Sequence, residues 1–362
     1  MKKFLAMILA LVMSLSLVAC GGNDAAEETP ADDGATTEET VEPITLRVAV
    51  QQNEDHQTCK AVRRIAEKVE AETNGGLILD IYSDSVLGDY TAVFDEVRMG
   101  TIDMAVQSFS GEYDPAFEIG YLPYLFTNYE ESKNVLSEGS NTYQMISDKC
   151  TENGLTFLGY FAEGFVQVGM VTPVDNMGDP NAAKTALVRC PAIESGRLAM
   201  ECQGCPTVTI AYADLYTAMQ TGVCDGWIGG TPQLNYSDFR DVIKYYVPYN
   251  VFAENIGFLM SQDVFNGMPE DLQTLITTTF TEESVNSFTT AKTGDEEAMQ
   301  KMADYGITIL ELTDEEMQAY IDHVIATTWP KLTKNIGEDI LNGLIEANAA
   351  GDAAETEEAA EA

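Results

Sequence analysis

An arginine in a strand that has to be buried is the first residue whose type and setting promise chemistry. Arg189 stands among Leu187, Val188 and Pro191 in the stretch "ALVRCP". An interior guanidinium left desolvated and alone is expensive, so it must be paired. Its planar fork matches a carboxylate through two parallel hydrogen bonds. Two pairings meet that demand: the carboxylate of a bound molecule, or an internal acid such as Glu163 or Asp225.

Other reactive residue types promise less. The pair in "CQGC", Cys202 and Cys205, invites a redox or zinc reading. Activated pairs sit at helix N-termini, where the dipole stabilises thiolate. This pair closes a helix beside Gly204, where the dipole opposes thiolate, so a structural disulfide or two inert thiols is expected. Cys190 and Cys224 lie in apolar strands and read as core. The histidines are His56 and His323, the second inside a helical stretch beside Tyr320 and Val324. No Ser-His-acid order, phosphate loop or His-Glu-x-x-His is found. Binding without turnover is therefore expected, with no catalytic residue, no metal and no cofactor.

The elements that must position Arg189 follow from the apolar periodicity. "ITLRVAVQQ" alternates Ile44, Leu46, Val48 and Val50 against polar neighbours, which marks a strand. Val62, Ile65 and Val69 then fall on one helical face, and the helix stops at "TNGG". "LILDIYS" is a second strand. "DYTAVFDEVRMG" is a helix with Asp89 as its N-cap and Gly100 as its stop, and "TIDMAVQS" is a third strand. These are βαβ units on a parallel sheet. "LTFLGYFAEGFVQVGMV" has the character of one long strand crossing between lobes. The scheme then restarts as "TALVRCPA", "SGRLAMECQG", "PTVTIA", "YADLYTAMQTG" and "VCDGWIGG". The segments "FDEVRMGTIDMA" and "LYTAMQTGVCDGW" share one grammar of helix, glycine, two residues and Asp. Asp103 and Asp225 are expected to bond backbone at those turns. Two similar α/β lobes create a cleft, and ligands of open α/β sheets sit at the carboxyl ends of the strands. Each lobe thus offers its strand tips to a shared site.

The C-terminal third is helical. From Pro269 the pattern runs towards Asp304, and about 35 residues at about 1.5 Å each span roughly 50 Å, the width of both lobes. "TDEE", Thr313 to Glu316, is a capping box opening a further helix expected to end near Pro330.

The ends and the charge set the location. Lys2 and Lys3 precede an apolar run that stops at Cys20, followed by two glycines, which is the pattern of a signal peptide over residues 1–20. "LVAC" resembles a bacterial lipobox, which makes Cys20 the expected lipidation site. A lipidated cysteine holds a chain to the outer membrane face without spanning it. Residues 21–43 carry eight acids and no base, and residues 346–362 six acids; both read as disordered, an acidic tether and an acidic tail. The whole chain has a formal net charge of −40, of which about −28 belongs to the folded body. Such a body repels nucleic acid and anionic lipid surfaces, so nucleic-acid binding is excluded.

The order "LGDYTAVFDEVRMGTIDMAVQS", "YLPYLF", "ALVRCP", "DLYTAMQTGVCDGW" and "FRDVIKYY" resembles the solute-binding proteins of TRAP (tripartite ATP-independent periplasmic) transporters from Ile44 to about Asn335. The resemblance implies a two-lobed, type II-like periplasmic-binding-protein clamshell of α/β class, with a long helix crossing both lobes. It implies capture of a small organic acid and its delivery to a TRAP-type permease driven by an ion gradient. The same fold also serves importers driven by ATP and sensors, which fold alone does not separate. The family grips the substrate carboxylate with the arginine of a "K-I-R-x-P" strand, which maps to Arg189. A second arginine, often found in "E-x-G-F-R", is replaced here by Val166. The "Q-E-N-P" that often follows "V-D-G" is replaced by Trp227, Ile228 and Gly229. One charge and one polar contact are missing and an indole has arrived, which favours a monocarboxylate with an apolar or aromatic body over a C4-dicarboxylate. Trp227 at a strand tip reads as core or as a platform for that body.

Further candidate contacts are Asn53, Glu54 and His56 after the first strand, Gln107 and Ser108 after the third, Tyr212 at a helix start, and Phe165 and Gly229. The expected division is lobe I over 44–162 with about 253–285, lobe II over 163–252, and a helical segment over 286–345 lying across both. A monomer is expected.

Overall fold

The structure, a computed structural model, describes residues 43–338 except 174, together with 341 and 342. Cys20, the acidic tether and the acidic tail lie outside the described residues. In chain order the first elements are β1 (Ile44–Val50), α1 (Gln57–Glu72), β2 (Leu77–Tyr82), α2 (Tyr90–Arg98) and β3 (Met104–Gln107). A 3-10 turn over Pro115–Tyr121 leads to α3 (Tyr129–Leu136) and α4 (Asn141–Glu152). β4 (Leu155–Phe165) and β5 (Gln167–Met170) follow, then β6 (Val188–Cys190), α5 (Glu194–Cys202), β7 (Thr207–Thr209), α6 (Tyr212–Gln220) and β8 (Gly226–Gly230). Then come α7 (Pro232–Leu234), β9 (Tyr245–Val247), β10 (Ala253–Ser261), α8 (Gln262–Gly267), α9 (Glu270–Tyr305), β11 (Thr308–Ile309) and α10 (Asp314–Ile336).

Two mixed sheets organise these elements into a two-lobed clamshell. One has the order β2-β1-β3-β10-β4, the other β11-β9-β5-β8-β6-β7. In the first, β1 is parallel to β2 and β3, and β10 is antiparallel to both β3 and β4. The ends of β1, β3 and β4 and the start of β10 therefore lie along one edge. In the second, β6 is parallel to β7 and β8, and β5 is antiparallel to β8 and β9.

The connections between sheets are β-rich and bonded to each other. The expected single long strand is two strands broken at Val166, because the chain changes sheets there. Val166 N–H donates to Phe252 O (2.8 Å) and Val251 N–H to Val166 O (2.9 Å), so the two crossings brace one another. α9 is the third crossing. Its 36 residues extend about 54 Å. Ile276 and Phe280 bury among the side chains around β1 and β10, Phe288 and Ala291 in the central cluster, and Met302 beside Leu215 and Tyr246. Fully burying a side chain of Phe or Met size contributes about 1.5–3 kcal/mol, so α9 is held independently at both ends. At its middle, Asp295 accepts from the Tyr129 hydroxyl (2.6 Å) and from Phe165 N–H (3.3 Å) at the crossing. Gly164, at φ +133°, lies beneath that carboxylate, where a Cβ would fall 2.0 Å from it.

The twin aspartates do the same work in both sheets. Asp103 accepts from Arg47 N–H (2.7 Å), and Asp225 from Leu187 N–H (2.8 Å). Each ties the strand it precedes to the neighbouring strand's backbone.

One local expectation is corrected, the end of α10, and two are narrowed. Asp89 is the N-cap residue of α2, but its carboxylate accepts from the Thr91 hydroxyl (3.3 Å) and from Tyr212 N–H of α6 (2.9 Å) and makes no cap bond to the α2 backbone. α10 opens with the expected capping box but continues through Pro330 to Ile336, held by the buried Leu332 and Ile336. The six described cysteines are all free. Burial raises the thiol of Cys202 and pushes that of Cys205 up to about 11, so both are inert thiols.

Candidate functional site

The strand tips of the two sheets meet around a small cavity. From the first sheet come Gln51 and Gln52 after β1, Ser108 after β3, Glu163 near the end of β4 and Glu254 at the start of β10. From the second come Arg189 of β6 with Trp227 and Gly229 of β8; Tyr90 and Tyr212 open helices on either side. The cavity volume is about 20 Å³, room for little more than one water molecule.

Arg189 is 1 % exposed. Its Nε donates to Ile210 O at 2.8 Å, which fixes the plane of the fork. Its Nη2 is buried with no partner. Among the described residues no carboxylate forms an ion pair with it, and both suspected internal acids are engaged elsewhere: Asp225 with Leu187 N–H, Glu163 with the Thr58 hydroxyl. Burial lowers the Arg189 pKa, opposed by the field of Tyr90, Cys190, Asp89 and Tyr212. A guanidinium in this state gains from any anion that replaces its lost hydration.

The opposite wall is acidic. Glu163 is fully buried, and its Oε2 has no partner. Burial, reinforced by the neighbouring Glu254, drives its pKa well above the carboxylate range. Glu254 is 4 % exposed, accepts from the Ser108 hydroxyl (3.2 Å), and is pushed up to about 8 by burial against the opposing pull of Ser108 and Arg189. Gln51 Oε1 accepts from Ser108 N–H (2.9 Å), locking that loop, while Gln52 Oε1 is buried without a partner. His56 Nδ1 lies 3.5 Å from Glu163. It accepts from Thr58 N–H, which places the ring proton on Nε2, and burial lowers its pKa to about 3. The two therefore form a neutral contact and not an ion pair.

Hydrogen bonds across the cleft hold the tips together. Asp89 Oδ1 accepts from Tyr212 N–H (2.9 Å) and Ala213 N–H (3.5 Å) at the start of α6. Glu118 accepts from Glu194 N–H (2.7 Å) and Ser195 N–H (3.0 Å) at the start of α5. Neither helix has a side-chain cap of its own, so acids distant in sequence supply them. Asn53 donates to Asp238 (2.6 Å), and Ala192 N–H to the Tyr90 hydroxyl (2.9 Å).

Of the residues singled out from sequence, Arg189, Trp227, Ser108, Tyr212 and Gly229 share the cavity wall. Trp227 is both wall and core: its Nε1 donates to Asn235 (3.1 Å) and its ring lies 4.6 Å from that of Phe239. Gly229, at φ +134°, sits against this indole, where a Cβ would fall 3.2 Å from the ring. The others lie off the wall. Gln107 donates to Tyr90 O, His56 caps α1, and Asn53 spans the cleft mouth. Glu54 is exposed and pairs with Arg63 at 3.0 Å. Phe165 lines a larger groove of about 730 Å³ over the hinge. That groove is roomier, but its buried acid, Asp295, already has its partners. Sequence reasoning missed Glu254 and Gln52 altogether. Glu254 carries a signal, a lone acid inside the apolar run "VFAENIGFLM".

Residues 48–334 match the model of bacterial extracellular solute-binding proteins of family 7 (DctP). A C4-dicarboxylate-binding periplasmic protein, DctP of Rhodobacter capsulatus, is 25 % identical over 83 % of this chain and 90 % of that protein. The sugar acid binding protein of Advenella mimigardefordensis, solved with galactonate, superposes with a TM-score of 0.79 at 21 % identity, covering 86 % of this chain and 99 % of that one. A TRAP periplasmic solute binding protein of Shewanella oneidensis, solved with succinate, gives 0.77 at 20 % identity, covering 84 % and 99 %.

Proposed function

The chain belongs to the bacterial extracellular solute-binding proteins of family 7, the substrate-binding proteins of TRAP transporters, and from that premise we propose that it captures a small organic acid between its lobes without chemical turnover. The single observation that carries this reading is the buried, unpartnered Nη2 of Arg189 at the small cavity between the sheets. The relatives described above bear names or ligands of one chemical class, dicarboxylates and sugar acids, which agrees with an arginine grip on a carboxylate.

Capture follows from the geometry. With the lobes apart, Arg189 regains water. An acid that enters meets the guanidinium, and closure strips water from both. Closure is reinforced by the caps that Asp89 and Glu118 lend to α6 and α5, since these bonds exist only while the tips are together. We further place the protein on the outer face of the membrane, held by lipid on Cys20, from which it hands its cargo to a TRAP permease. No helix among the described residues is long and apolar enough to cross a membrane.

A thermal-shift and calorimetric screen over organic acids tests the reading. At least one acid is expected to bind 1:1 and remain unaltered, and Arg189→Ala is expected to reduce its stabilisation sharply. Binding unaffected by that substitution would overturn the assignment. Mass spectrometry of the N-terminal peptide tests the anchor; an acylated cysteine at position 20 is expected, and an unmodified one contradicts it.

A further inference from the structure

Resting on that reading of Arg189, we propose that the ligand is a zwitterion: its carboxylate lies on Arg189, and its cationic nitrogen donates to the carboxyl groups of Glu163 and Glu254. The wall contains three fully buried polar atoms without partners: the donor Arg189 Nη2, the amide acceptor Gln52 Oε1 and the carboxyl oxygen Glu163 Oε2. Buried groups of this kind are satisfied in native complexes, and a ligand seated between them would satisfy all three at once. A plain carboxylate answers the donor alone. A dicarboxylate brings a second anion and no donor for the buried Gln52 Oε1. A compact zwitterion completes two opposite pairs, its carboxylate with the guanidinium and its nitrogen with one ionised carboxyl. Pro191, Ile193, Trp227 and Leu234 add apolar contacts for a short body between the two charged ends.

The proton balance gives a signature. Near pH 7 the Glu163–Glu254 pair is held protonated by burial. When a cationic nitrogen docks, one carboxyl ionises and its proton leaves to the buffer; no other bond changes. The charged and titratable groups around the pair are Arg189 from β6, His56 at the start of α1, Tyr90 from α2, Tyr121, Tyr212 from α6, Asp238 and Asp295. His56 stays neutral through this range, so it does not mask the release.

The experiment is titration calorimetry on the full folded protein at pH 7 in two buffers of different ionisation enthalpy. The probes are amino acids, N-methylated amino acids and cyclic amino acids of two to six carbons. Each is paired with its nitrogen-free monocarboxylate and with the dicarboxylate of equal length, and galactonate is added as a polyol acid. The expected result is that the best binder is a zwitterion, at least tenfold tighter than its nitrogen-free partner, with close to one proton released. Glu254→Gln, and separately Glu163→Gln should either variant fold poorly, is expected to erase that preference and reduce the release. If the best binder is a nitrogen-free acid whose affinity depends on Arg189, the zwitterion inference fails while the carboxylate reading stands. A zwitterion that binds with no proton release also overturns it. If no acid binds, or binding ignores Arg189→Ala, the carboxylate reading itself fails and takes this one with it.

Discussion

The two faces of the cleft are built from the same parts and end in opposite chemistry. Both are edges of mixed sheets, and in each sheet a strand begins at an aspartate that follows a glycine stop and bonds the neighbouring strand's backbone, Asp103 on one side and Asp225 on the other. On the first face those tips carry Gln52, Glu163 and Glu254; on the second they carry Arg189 and Trp227. The scaffold is duplicated while the functional side chains are not. Positioning is therefore a property of the repeated unit, and specificity belongs to a few residues at its ends.

That comparison can be broken most sharply at its single cation. Removing Arg189 takes away charge-assisted hydrogen bonds worth about 1.5–3 kcal/mol in binding, so Arg189→Ala is expected to weaken the best acid by roughly 10- to 100-fold. Arg189→Lys, which keeps charge but loses the fork, should recover only part of this by calorimetry.

The acidic face should show itself in the pH dependence of the empty protein. Glu254, Asp295 and Asp238 are held at about 8, 7 and 6, above the ordinary 4.5, 3.8 and 3.8. The folded state thus binds more protons than the unfolded one over this range, and stability falls as pH rises. Warming experiments should find the ligand-free protein more stable at pH 6.5 than at pH 8, by on the order of 1–3 kcal/mol. Below pH 6.5 the buried His56, held down at about 3, opposes the trend because the unfolded chain then takes up a proton that the fold refuses. A stability maximum at pH 8 would show that these acids are hydrated.

The caps lent across the cleft come next. Asp89→Ala removes a helix cap worth about 0.5–2 kcal/mol, and only from the closed form. Affinity should fall by roughly 2- to 30-fold, chiefly through faster dissociation, with little change in the melting of the ligand-free protein if that form opens readily. An equal loss of unliganded stability would mean that the lobes rest closed.

The smallest effects belong to the paired aspartates. Asp103→Asn and Asp225→Asn each weaken one backbone hydrogen bond, and each should cost about 1 kcal/mol by denaturant unfolding. A large inequality between them would show that the two units are less alike than their bonds suggest.

Much of this was legible in the chain. The stripe Val62, Ile65 and Val69, the stops at Gly100 and Gly222, and the length of α9 follow from period and punctuation, which act locally. Arg189 was legible because a cation inside an apolar strand needs a reason. The acidic wall was only half visible. Glu163 and Glu254 occupy matching "Phe-Ala-Glu" runs, at 161–163 and 252–254, and their meeting depends on how β4 and β10 pair. The caps given by Asp89 and Glu118 to helices more than seventy residues away have no local signature at all. α10 passes Pro330 because burial of Leu332 and Ile336 outweighs a local break worth about 3 kcal/mol.

A crystal structure of the protein with its tightest-binding acid tests the central claim most directly. The account predicts a carboxylate oxygen within about 3 Å of Arg189 Nη2, with the tips closed over it. A guanidinium turned onto Glu254 or Glu163, with the acid seated elsewhere, such as in the groove over the hinge, would contradict it.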